Sequence, residues 1–123
     1  MLLYLAADLI WGTKIKATAA AAGIEARPVR SLEVFHARLA DASPANPIRG
    51  IALDLEKPEE ALAMIAILRA ENSPHKSIRI TAWAPHVERE LMEKAKAAGA
   101  DRVMTRGAFV GGLERVLREL DQG

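Results

Sequence analysis

Short apolar runs alternate along the chain with segments whose apolar residues recur at helical spacing. Each run is as short as a strand, and an unbroken apolar run is typical of a strand buried on both faces of a parallel sheet. Pro28, inside the second run, favours an edge position, because proline cannot donate a ladder hydrogen bond. The five predicted strands cover residues 2–7, 24–29, 50–55, 77–83 and 102–105.

Helices are predicted after each of these strands. Residues 9–22 form the first, which Gly23 ends, and Ser31 is a plausible N-cap for the second. Pro58 and Pro85 stand at the expected first positions of the third and fourth helices. The fifth carries the clearest amphipathic stripe, formed by Phe109, Leu113, Val116, Leu117 and Leu120. Strands that alternate with helices predict a doubly wound α/β domain over residues 1–123, with a parallel sheet and helices on both faces.

Composition excludes several classes of function. The formal net charge of +1 gives no electrostatic reason to expect nucleic acid or an anionic membrane as a partner. There are no cysteines, and His36, His75 and His86 share no metal-ligand spacing. Asp8 interrupts the first apolar stretch, which argues against a signal peptide or a membrane span. We expect a soluble, cytoplasmic protein.

Candidate chemistry lies where the strands end. In open parallel sheets, ligands and reactive groups gather at the carboxyl ends of the strands. Asp8, Asp54, Ala84 and Arg106 all occupy such positions, so they should share one edge of the sheet. Asp54 is either a reactive carboxylate or a structural acid paired with Arg106. Asp8 is either a metal ligand or the N-cap of the first helix, and the cap needs no metal.

The stretches YLAADL, IALDLEKP and KAAGADRVMTRGAF together resemble the receiver domain of bacterial response regulators over essentially the whole chain. The resemblance implies the sheet order 2-1-3-4-5, the receiver and flavodoxin-like arrangement. It also implies that Asp54 stands at the phosphoacceptor position and Asp8 at the second acid of the pair that ends the first strand. Arg106 takes the place of the family lysine, and Ala84 the place of the serine or threonine.

Several positions depart from the pattern that the resemblance implies. Ala7 stands where the first acid would be, which removes a ligand or a water anchor from a magnesium site. Ala84 has no hydroxyl to donate to a phosphoryl oxygen, and Val103 replaces the aromatic switch residue. Arg106 keeps a positive charge, but its planar fork favours a carboxylate partner. We therefore expect Arg106 to lie across Asp54 and to fill the space that a metal would use.

The leading hypothesis is a pseudo-receiver, a signal-transduction module that binds a protein partner without a phosphorylation cycle and is not an enzyme. The first alternative is a working two-component receiver, phosphorylated on Asp54 by a histidine kinase in a phosphorelay. The second is a small cofactor-binding flavodoxin-like domain. No cofactor is expected, and Mg²⁺ would involve only Asp8 and Asp54. The partner would be a histidine kinase or an output protein, with no nucleic acid and no membrane involved.

The chain is expected to be a monomer or a homodimer. The resemblance implies that the face made by the fourth helix, the fifth strand and the fifth helix mediates receiver dimers and partner contacts. Met92 is predicted to be an exposed apolar residue of that face.

Overall fold

The computed structural model describes residues 1–86 and 88–122. Its strands are β1 (Leu2–Leu5), β2 (Ala26–Pro28), β3 (Gly50–Asp54), β4 (Arg79–Ala84) and β5 (Arg102–Thr105). Its helices are α1 (Leu9–Ala21), α2 (Leu32–Asp41), α3 (Pro58–Arg69), α4 (Arg89–Ala98), α5 (Arg106–Gly111) and α6 (Leu113–Asp121). Within the described ranges, no helix is both long enough and apolar enough to cross a membrane.

The five strands form one parallel sheet in the order β2-β1-β3-β4-β5. This confirms the predicted α/β class and the order that the resemblance implied. Pro28 lies on the edge strand β2, opposite Tyr4 of β1, as its missing N–H group requires. Because all strands run the same way, their carboxyl ends meet along one edge of the sheet.

Helices cover both faces of the sheet and create two hydrophobic clusters. On one face, α2, α3 and α4 pack against the strands through buried residues that include Phe35, Ile65 and Ala95. On the other face, α1, α5 and α6 contribute Ile15, Phe109, Val116, Leu117 and Leu120. The ring of Trp83 in β4 stacks on Phe109, with ring centroids 4.2 Å apart and planes 2° from parallel. This stack fixes α5 against the sheet immediately after β5.

Two predicted helix boundaries are wrong. The fourth helix begins at Arg89 rather than Pro85, because its N-cap Glu88 has a non-helical backbone (φ −121°, ψ 83°). Val87, predicted on the apolar face of that helix, lies outside the described residues. The predicted fifth helix is divided into α5 and α6 at Gly112, whose φ of −121° and ψ of 28° interrupt the helical path.

Gly99 and Arg69 together set the direction in which β5 enters the sheet. Gly99 ends α4 with a φ of +123°, a conformation that favours glycine, and the Ala100 N–H donates back to the Ala95 carbonyl. Arg69 Nε donates to the Gly99 carbonyl at 3.1 Å, while one of its terminal nitrogens donates to Asp101 at 2.8 Å. This arrangement positions β5 and therefore Arg106, the residue that follows it.

Gly50 allows α6 to approach β3 closely. A Cβ atom at position 50 would lie 2.8 Å from the Leu120 carbonyl oxygen and 2.9 Å from the Leu120 Cβ. Distances this short require the backbone of α6 to move, because one of the atoms in the way belongs to the main chain. The contact between β3 and α6 therefore depends on the absence of a side chain at Gly50.

We predict that Gly50→Ala lowers the free energy of unfolding by about 1–3 kcal/mol, the usual cost of overpacking a core. Gly111→Ala is the matched control: it lies in α5, and its new methyl group would meet nothing within 4 Å. The control should be neutral or stabilising by up to about 1 kcal/mol. Urea unfolding of both variants measures the difference, and equal stabilities would contradict the close approach of α6.

Candidate functional site

The predicted site residues meet at the carboxyl edge of the sheet. Asp54 is the last residue of β3, and Ala84 is the last residue of β4. Asp8 lies between β1 and α1, and Arg106 directly follows β5 as the first residue of α5. The parallel topology thus brings together the four positions that the sequence singles out.

The Asp54 carboxylate is almost completely enclosed, with only 2% of the residue exposed. One of its oxygens, Oδ2, accepts a hydrogen bond from the Ala7 N–H at 2.9 Å. The other, Oδ1, accepts from the Glu56 N–H, also at 2.9 Å. Hydrogen bonds to a carboxylate are among the stronger ones, and they satisfy a group that would otherwise be costly to bury. Backbone dipoles therefore hold this acid in place.

Arg106 does not pair with Asp54, so that prediction is wrong. Its guanidinium carbon lies over the ring of Trp11, 5.0 Å from the ring centroid, in a cation–π arrangement. No ion pair with Asp54 is formed among the described residues, although both side chains lie at the same edge. The physical reason is that Asp54 is buried and already satisfied, whereas Trp11 offers the arginine a partner without removing its charge from water.

Asp8 is the N-cap of α1, which confirms the simpler of its two interpretations. Its Oδ1 atom accepts a hydrogen bond from the Trp11 N–H at 3.0 Å, and its side chain is exposed. Aspartate is favoured at this position because it satisfies an otherwise unpaired N–H group and carries a charge that suits a helix N-terminus.

The residues at this edge are poorly suited to a magnesium ion. Both oxygens of Asp54 and one oxygen of Asp8 already accept backbone hydrogen bonds. Ala7 adds no third carboxylate, and residues 1–86 and 88–122 contain no group of three or more acids, histidines or cysteines arranged to hold a metal. Mg²⁺ is usually held by one or two carboxylates and several waters, and here one of the two carboxylates is buried and the other caps a helix.

Two neighbouring positions also lack the groups that a receiver site would use. Ala84 is fully buried, and its methyl group cannot donate a hydrogen bond. Val103 is half-buried and has no polar tip. Met92 was predicted to be exposed, but it is half-buried and packs against the hydrophobic cluster beneath α4, so that prediction is wrong.

Sequence reasoning missed an apolar surface beside the site. Leu9 and Ile10, in the first turn of α1, are 75% and 76% exposed. The only signal for them was that they fall outside the buried stripe of α1, which includes Ile15 and Ala19. Two large exposed apolar side chains next to Asp8 give this edge a surface suited to contact with another molecule.

Comparisons with solved structures identify the fold. The chain is similar to a response regulator from Thermotoga maritima, with a TM-score of 0.78 and 15% identity, covering 99% of this chain and 97% of that one. It is similar to the chemotaxis response regulator CheY4 of Vibrio cholerae, with a TM-score of 0.77, 17% identity and coverages of 97% and 96%. It is also similar to a response regulator receiver domain protein from Methanospirillum hungatei, with a TM-score of 0.75, 15% identity and coverages of 98% and 93%.

No protein-family model matches the chain, and no curated protein matches it. The structural likenesses nevertheless cover nearly the whole chain in each comparison. The chain has the fold of response-regulator receiver domains, which confirms the predicted resemblance at the level of fold.

We predict that Asp54→Leu lowers the free energy of unfolding by about 2–4 kcal/mol, because two partly buried backbone N–H groups lose their acceptor. Asp54→Asn should cost less, since its amide oxygen can still accept one of the two hydrogen bonds. Glu56→Gln is the control, because its side chain is exposed and only its backbone takes part. Chemical unfolding measures all three, and a fully stable Asp54→Leu protein would contradict the structural role of the carboxylate.

Proposed function

We propose that this domain is an atypical receiver that transmits a signal through contact with a protein, without a magnesium-dependent phosphorylation cycle on Asp54. The observation that carries the proposal is the state of the Asp54 carboxylate, which is enclosed and has each oxygen bound to a backbone N–H group. In this proposal the domain acts in the cytoplasm as a binding module and not as an enzyme.

The chemistry of phosphoryl transfer supports this proposal. A carboxylate that attacks phosphorus must present an accessible lone pair in line with the leaving group, and nearby cations or donors must stabilise the charge on the phosphoryl oxygens. Here the Arg106 guanidinium lies over Trp11, and Ala84 offers no hydroxyl. Position 7 is an alanine, so Asp8 is the one carboxylate that directly follows β1. These three changes all weaken the same step.

The apolar pair Leu9 and Ile10 supports the second half of the proposal. Both side chains project from the first turn of α1, next to Asp8 at the edge where Asp54 lies. A protein that binds there would remove two large apolar side chains from water, a gain that does not depend on phosphorylation. The edge could therefore serve recognition even though its residues are poorly suited to catalysis.

A working receiver, phosphorylated on Asp54 by a histidine kinase, is the second candidate. One specific observation favours it: Asp54 ends β3 at the carboxyl edge of a sheet with the receiver strand order. In this candidate the attacking oxygen uses a lone pair that the Ala7 or Glu56 N–H group does not occupy. It also requires a cation to reach a carboxylate that is 2% exposed.

We predict that the protein gains no stable acyl phosphate when it is incubated with Mg²⁺ and acetyl phosphate, as measured by intact mass. Loss of one transition-state donor costs about 10²- to 10³-fold in rate in comparable sites, and several such groups are missing or displaced here. These losses are not strictly additive, because the groups act as a unit. Efficient labelling of the unmodified protein on Asp54 would overturn the proposal and favour the second candidate.

The control restores the missing groups. The combined variant Ala7→Asp, Ala84→Thr and Arg106→Lys should gain Mg²⁺-dependent labelling, which a further Asp54→Asn substitution should abolish. A combined variant that folds but remains unlabelled would show that these three positions are not what prevents the reaction.

A further inference from the structure

A groove of about 600 Å³ runs between α1 and the edge strand β2; it adjoins the carboxyl edge through Ala7 and Asp8, but Asp54 itself does not line it. Small side chains form part of its walls, among them Ala6, which follows β1, Ala17 of α1 and Pro28 of β2, and the Tyr4 ring also lines it. There is space beside Gly12, because an added methyl group would contact the Ala6 Cβ at 3.7 Å and the Tyr4 ring at 3.8 Å without a clash. Its volume is within the range of small-molecule sites, about 300–1,000 Å³.

Positive charge is concentrated around this groove. Lys16 of α1 and Arg30, which follows β2, both line it and are exposed, and neither forms an ion pair with the residues that the structure describes. Lys57 lines it as well, but its ammonium group forms an ion pair with the Glu60 carboxylate at 3.4 Å. The one acid in the lining, Asp8, is engaged as the helix cap. The groove therefore favours an anion.

Tyr4 brings a polar group to the groove. Its ring is buried, with only 6% of the residue exposed, while its hydroxyl is open to solvent and makes no hydrogen bond within residues 1–86 and 88–122. Burial raises the pKa of the phenol, and the nearby positive charge of Arg30 opposes this in part. The hydroxyl therefore keeps its proton and remains a donor at neutral pH. A hydroxyl that faces the groove and has no protein partner is free to donate a hydrogen bond to a ligand.

We propose that the groove between α1 and β2 binds a small molecule that joins an apolar body to a carboxylate or phosphate group. Lys16 and Arg30 bind the anionic group, the Tyr4 hydroxyl donates a hydrogen bond to the ligand, and the alanine walls receive the apolar body. Arginine suits this role, because its planar fork matches both carboxylate and phosphate oxygens. The site goes beyond the proposed function and does not depend on it, since no step involves the Asp54 carboxylate.

Two anions and two controls serve as probes. Phenyl phosphate and phenylacetate carry the two candidate head groups, benzyl alcohol keeps the ring without the charge, and inorganic phosphate keeps the charge without the ring. Binding is followed by the amide NMR shifts of Ala6 and Gly12, which report on the groove itself. We expect saturable one-to-one binding of at least one aromatic anion, with both controls weaker by about fivefold or more. The tighter of the two anions identifies the head group.

Matched variants test the residues. Arg30→Gln and Lys16→Gln should each weaken the binding of that anion by about fivefold or more, the loss of one charge-assisted hydrogen bond. Tyr4→Phe keeps the ring and should weaken it by about twofold or more. Lys14→Gln, on the same helix but outside the groove, should change nothing. Ala17→Phe, at an exposed position of the wall, should block the groove while leaving the fold intact.

Three outcomes would overturn the proposal. The first is that neither aromatic anion shifts the Ala6 and Gly12 amides. The second is that benzyl alcohol binds as tightly as the anions, and the third is that Lys14→Gln weakens binding as much as Lys16→Gln does. Thermal unfolding of each variant, compared with the parent protein, separates a lost site from a lost fold. Because acetyl phosphate labelling is measured separately, failure here leaves the assignment of Asp54 unaffected.

Discussion

The Asp54 carboxylate joins two loops that belong to different strands. Ala7 lies in the loop after β1 and Glu56 in the loop after β3, and each donates its backbone N–H to one carboxylate oxygen. In a buried setting these hydrogen bonds are stronger than in water, and the carboxylate is the group that makes both possible. The geometry of the carboxyl edge depends on this acid, because without it the backbone amides of both loops lose their shared acceptor.

The rest of the edge is arranged around a carboxylate whose hydrogen bonds come from the backbone. Arg106 is free to lie over Trp11, which connects the start of α5 with the start of α1. Asp8 caps α1, and the next two residues, Leu9 and Ile10, are left in contact with water. An edge that in other proteins of this fold could hold reactive groups is here occupied by structural contacts and an apolar surface.

Much of this could be predicted from the sequence, because the relevant signals are local. Unbroken apolar runs indicated buried parallel strands, Pro28 indicated the edge, and Asp8 before an apolar helix indicated an N-cap. The partner of Arg106 could not be predicted, because a long side chain at a known position can point to either of two neighbours. The Tyr4 groove was also missed, since it depends on small residues from three elements that are close together only in the folded chain.

The contact between Gly50 and Leu120 has a consequence for the order in which the chain can fold. During synthesis, β1 and β3 leave the ribosome well before α6 does. Part of one apolar face of the sheet is therefore exposed until α6 packs on it. A partly covered sheet of this kind is prone to aggregate. The absence of a side chain at Gly50 leaves a slot in which the backbone of α6 fits closely. This shape favours binding of α6 over binding of apolar segments from other molecules, which fit the slot less closely.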